Sequence, residues 1–207
     1  MPTGISAQRS DCRSRASAAR QRWLLSAALL VCAGAAAQDH PSEYDVKSAY
    51  LLKLGSFVHF PEEATKSPNF DICIVGESPI AQIVEMAAHD ETIDGRPVRV
   101  VRHDKAADAR ACAVVFLAGS GHMEKDLTAL QGADALTVSD APQFLDRGGM
   151  IQFVLDHSRV RFGVNLEAVS HTHLQLSSEL LKVAQFVKSR TAEATPAQPK
   201  PAQEEKR

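Results

Sequence analysis

The stretch "RGGMIQFVLDHSRVRFGVN", residues 147–165, sets the architecture. Two glycines precede an apolar run. A polar break, DHSR, follows, and then apolar and polar residues alternate. Val160, Phe162 and Val164 point one way, and Arg161, Gly163 and Asn165 the other. A period of two marks a strand with one buried face. Two such runs joined by a short polar stretch read as an antiparallel hairpin. The first run is apolar on both faces, so it reads as the more buried partner.

Upstream the pattern is different. Apolar runs at 70–76, 96–102, 111–120 and 135–140 are separated by helical stretches at 78–89 and 121–132. Ser78 and Pro79 suit a helix start. Gly76 and Gly132 close their elements. The run at 111–120 is apolar throughout, as expected of a central strand covered on both sides. Strand and helix in turn imply a single α/β domain: a mainly parallel sheet with helices on both faces, and the hairpin as an antiparallel edge. The domain opens with an amphipathic helix from Ser42, with Val46, Tyr50, Leu51, Leu54 and Val58 at helical spacing and Pro61 as its stop. It ends with a helix over 177–189, capped by Ser177 or Ser178, whose core stripe is Leu180, Leu181, Ala184 and Val187.

The two ends differ from this domain. Five arginines in the first 22 residues, an apolar run at 23–33 and Ala35-Ala36-Ala37 form a secretory leader pattern, residues 1–37. The run is shorter than the roughly 20 residues that span a bilayer. Its removal takes five Arg and one Asp from a chain of formal charge −2, leaving about −6. An acidic exported domain has no electrostatic footprint for nucleic acid. Residues 191–207, rich in Pro and charge, cannot bury enough surface to order themselves and read as a disordered tail. The domain itself is assigned to 43–190. Cleavage leaves two cysteines, Cys73 and Cys112. In an oxidising compartment they are expected to pair; the alternative is two inert core thiols.

Motifs for chemistry are sparse. There is no Walker loop, GxSxG elbow or HExxH. The Gly119–His122 loop fits an ordinary strand-to-helix turn better than a phosphate cradle. His171 and His173 could reach one metal from an extended segment, but no third ligand lies near in sequence. His59, between Val58 and Phe60, reads as a packing residue at a helix end. Arg161 and Asn165 flank Gly163 on the non-core side of the hairpin. A guanidinium and an amide around a hollow could orient an anionic or planar ligand; an edge strand kept polar against aggregation explains them as well.

Taken together, "AYLLKLGSFVHFPEE", "CIVGESPI", "IDGRPVRVV", "CAVVFLAGS", "ALTVSDAPQFLDRGGMIQFVLDHSRVRFGVN" and "LQLSSELLKVA" resemble the YfiR-like family over about residues 43–188. The resemblance implies a periplasmic, usually dimeric α/β protein that is not an enzyme, needs no cofactor, and inhibits an inner-membrane diguanylate cyclase through the cyclase's periplasmic domain. Envelope or redox signals would relieve that inhibition and raise cyclic di-GMP and biofilm. The alternative is a periplasmic small-molecule-binding protein of a sensor or transport system. The resemblance also implies a Cys73–Cys112 disulfide. A second cysteine pair carried by some members near the hairpin is missing, with Arg147 and Val154 in that region. The candidate contact residues are Phe57, His59, Phe60, Arg161, Asn165, His171 and His173. No catalytic or metal-binding residue is assigned.

Overall fold

The computed structural model describes residues 41–61, 67–119 and 121–189. The leader and tail readings lie outside the described residues. So does Ser120, within the Gly119–His122 loop.

Helix α1 (Glu43–Gly55) starts at a reciprocal cap. Ser42 Oγ accepts from the Asp45 amide at 3.2 Å, and Asp45 Oδ2 accepts from the Ser42 amide at 2.8 Å. The Ser42 hydroxyl also donates to Asp45 Oδ2 at 2.7 Å, and this bond first, with the one from the Ser42 amide, holds the Asp45 carboxyl below its usual pKa. The helix is shorter than its sequence suggests. It ends at Gly55, where the Phe70 ring leaves no room for a Cβ, and Val58 and His59 form β1 (Val58–His59) instead.

The main sheet contains β2 (Phe70–Val75), β3 (Thr92–Ile93), β4 (Arg96–His103), β5 (Val114–Leu117), β6 (Leu136–Ser139), β7 (Ile151–Asp156), β8 (Arg159–Asn165) and β10 (Phe186–Lys188). Its spatial order is β10-β8-β7-β6-β5-β2-β4-β3. From β4 through β7 the neighbours are parallel; β7–β8 and β3–β4 are antiparallel. β1 pairs separately with β9 (Gln175–Leu176). The fold class is the expected one.

Alternation along the strands builds two cores. Phe70, Ile72 and Ile74 of β2 point into the larger one, with Val114, Phe116, Leu136, Val138, Ile151 and Phe153. α1, α2 (Ile80–Ala87) and α5 (Ser178–Val183) cover that face through Leu51, Leu54, Ile80, Val84 and Leu180. Cys73 and Val75 point the other way, with Val115, Leu117 and Phe144, beneath α3 (Met123–Leu130) and the 3₁₀ turn Ala106–Ala109. The Cys73–Cys112 disulfide lies in this second core, its Cα atoms 6.0 Å apart.

The hairpin runs Ile151↔Val164 to Asp156↔Arg159, around His157 and Ser158, whose φ values are 45° and 61°. Two left-handed residues match the twist of the flanking strands. Val160, Phe162 and Val164 face the core as the alternation requires. Three local details differ from the sequence reading. The final helix stops at Val183, and residues 186–188 become β10, parallel to β8. The hairpin therefore has one short strand beyond it. And β8, not β7, has the more buried end, Phe162–Asn165.

Candidate functional site

Residues 56–57 connect α1 to β1. The Ser56 and Phe57 amides donate back to Lys53 and Leu54 carbonyls, both at 3.0 Å. The Phe57 carbonyl accepts from Ser177 at 2.9 Å, and Val58 and His59 pair with Leu176 and Gln175. Ser177 in turn caps α5, its hydroxyl accepting from Leu180 at 3.2 Å. The backbone of Phe57 is thus tied to both α1 and the start of α5, and its ring remains 39% exposed.

That ring separates two depressions. One, of about 290 Å³, is apolar and runs between α1 and α5 along Val46, Tyr50, Leu54, Phe162, Leu180 and Val183. Tyr50 is set into its wall by an edge contact with Phe162, ring centres 5.7 Å apart. Val183, 64% exposed, stands at its margin. The other, about 770 Å³, is of mixed character and is lined by His59, Phe60, Asp94, Arg96 and Gln175. Arg96 stacks over Phe70, 5.1 Å from its centre, and one of its guanidinium nitrogens is buried without a hydrogen-bond partner among the described residues. An apolar groove near a cationic side chain can seat an amphipathic segment that carries an acidic residue.

The sequence candidates fall in different places. Phe57 and His59 are exposed here. Phe60 is 3% exposed and packs edge-on against Phe70 at 5.5 Å, so it supports the site from the core and is not available to a partner. His59 lies on a strand, not at a helix end. Arg161 is exposed on β8, but Asn165 is buried. Its amide donates to Leu145 O at 3.0 Å, and its oxygen accepts from Glu167 and Ala168, capping α4 (Leu166–Ser170). The expected hollow at Gly163 is filled by the Phe186 ring. The Arg161–Asn165 pair therefore frames no receptor.

His171 borders an open cleft of about 640 Å³ that also takes in Arg147, Glu167 and Lys188. His173 is engaged elsewhere: its amide and Nδ1 meet Asp134 Oδ1 at 2.9 and 3.1 Å. Neither histidine belongs to a cluster of three metal-ligating side chains among the described residues. The groove between α1 and α5 was not legible in advance, because the sequence reading extended both helices past their true ends. Val183 was missed for that reason; Arg96, on β4, was missed because its stacking on Phe70 joins residues distant in sequence.

The YfiR/HmsC-like family model matches residues 44–185. Among solved structures, a conserved domain protein from Vibrio cholerae O1 biovar El Tor str. N16961 shares the fold, with a TM-score of 0.50 at 13% identity over 71% of this chain and 60% of that one. The chain spans less than two thirds of that structure's length, and the likeness is one of fold. No curated protein matches the chain. Among the described residues no helix is long and apolar enough to cross a membrane.

Proposed function

The chain belongs to the YfiR/HmsC-like family, and on that premise we propose that it is a non-enzymatic periplasmic regulator that inhibits a membrane-bound diguanylate cyclase by binding the cyclase's periplasmic domain. Family membership carries the reading. The groove at Phe57 supports it, since a contiguous apolar depression with an exposed aromatic at its rim is a typical protein contact. The disulfide suits an oxidising compartment. Inhibition needs no catalytic group: a regulator that binds one state of the cyclase better than another shifts its equilibrium by that difference. In this reading an amphipathic segment of the cyclase lays its apolar side between α1 and α5 and an acidic residue meets Arg96. Deleting the gene should raise cyclic di-GMP and surface attachment. Unchanged cyclic di-GMP, in a strain whose cyclase is active, would sink the reading.

A second reading is a small-molecule receptor, favoured by the cleft at His171. Lys188 and Arg147 give it a cationic rim, partly neutralised by the Lys188–Asp146 ion pair at 2.8 Å. Stabilisation by anionic metabolites in a thermal-shift panel, lost in Arg147→Ala, would favour this one.

A further inference from the structure

His103 ends β4, and Cys73 lies in the adjacent parallel strand β2. Their register places Cys73 beside Val101 and Val75 beside His103. Residues two apart on a strand share a face, so His103 projects from the same side of the sheet as Cys73. Cys112 follows the 3₁₀ turn, its amide donating to Ala109 O at 3.1 Å, and reaches that face from the loop before β5. The two sulfurs and a ring nitrogen of His103 all lie within 4.8 Å of one another. Both cysteines are buried and His103 is half-buried. The sequence, which separates these residues by 30 and 9 positions, did not bring His103 into the disulfide's neighbourhood.

We propose that opening the Cys73–Cys112 disulfide creates a soft-metal site, in which two thiolates and the His103 imidazole hold Zn²⁺ or Cu⁺. Thiolate and imidazole donors select these ions over Mg²⁺ or Ca²⁺, which require oxygen ligands. A tetrahedral zinc with bonds of about 2.3 Å to sulfur needs the sulfurs about 3.8 Å apart, a separation that rotation of two released side chains supplies. The partly exposed His103 side leaves a route for the ion and room for a fourth ligand. A thiol or phosphine reductant supplies two electrons to the S–S bond, and each sulfur takes up a proton. Metal binding then expels both protons. The same sulfurs serve the disulfide and the metal, so the two states exclude each other. Metal uptake thereby follows the redox state of the compartment, independently of any partner.

The test uses the full chain, reduced without oxygen by a water-soluble phosphine, which becomes phosphine oxide with oxygen from water. After desalting, one equivalent of Zn²⁺ is added, or Co²⁺ as a coloured substitute. The reduced chain should retain one metal through gel filtration and show cobalt–thiolate charge transfer. The oxidised chain should retain none. Cys73→Ala/Cys112→Ala, which keeps Cys12 and Cys32, should also retain none. His103→Ala, folded by circular dichroism, should bind at least about tenfold more weakly, and His103→Gln serves if the alanine variant does not fold. Equal binding by oxidised and reduced chains, equal affinity in the His103 variants, or no metal on the reduced chain would overturn the proposal. So would a chain that unfolds on reduction and is not refolded by zinc.

Discussion

The Phe186 ring occupies the space that a Cβ on Gly163 would need, its farther edge carbon Cε1 only 2.9 Å from that position. The two residues face each other in the β8–β10 ladder. The glycine between Arg161 and Asn165 is therefore a seat for an aromatic ring from the C-terminal strand. Gly163→Ala should destabilise the domain by about 1–3 kcal/mol, as overpacking does. Phe186→Ala in the same chain should recover part of the loss. Chemical denaturation of the four members of the cycle measures the coupling.

Asn165→Ala removes a buried donor to Leu145 and the acceptor that caps α4. Loss of a cap and of a buried partner together should cost about 1–3 kcal/mol. Arg161→Ala, on an exposed side chain, should stay within about 0.5 kcal/mol. Urea midpoints of the two variants separate these expectations; equal midpoints would contradict the burial of Asn165.

Charge should act differently at Phe57 and at Phe60. Phe57→Asp replaces a ring already 39% exposed with a carboxylate, and the variant should remain soluble while losing repression of cyclic di-GMP. Phe60→Asp buries an unpaired charge against Phe70 and should not yield folded protein. Soluble yield and cyclic di-GMP measured together distinguish the two.

Lys47 carries a buried ammonium at 2.7 Å from Asp140, with Glu43 one helical turn away. Desolvation pulls its pKa down, but hydrogen bonds to Asp140 and Glu43 outweigh that and leave it raised. A raised folded-state pKa stabilises the fold fully below the unfolded value, and the contribution is lost as pH rises through the folded one. Lys47→Ala leaves partly exposed carboxylates without their donor and should cost about 1–3 kcal/mol at neutral pH. The gap between variant and wild type should narrow in strongly alkaline solution, in a pH series of unfolding midpoints.

Acid acts on a different pair. The Glu85 carboxylate is held below its usual pKa by hydrogen bonds from the Arg102 guanidinium, at 2.7 Å. A depressed pKa stabilises above the unfolded value and is lost as pH falls through the folded one. Both side chains are largely exposed, so Glu85→Gln should change stability little in high salt and only slightly in low salt. A large effect in either condition, read from unfolding midpoints, would mean the pair does more than the exposed geometry allows.

The sequence by itself determined what local periodicity and local bonding can determine. The two-residue alternation at 160–164 put Val160, Phe162 and Val164 in the core, and the strand–helix alternation fixed the parallel sheet. Ser42 capped α1 as its side-chain chemistry requires. Tertiary structure decided the rest, through contacts between residues distant in sequence. Residues 184–188 have a helical stripe, yet Gln185 donates to Phe162 O at 2.9 Å and Phe186 fills the Gly163 gap, because an open strand edge offers backbone bonds that a short helix end does not. Asn165, polar and expected outward, turned inward because α4 needed a cap and Leu145 O a donor. His103 reached the disulfide because β4 lies against β2, a pairing that no local pattern encodes.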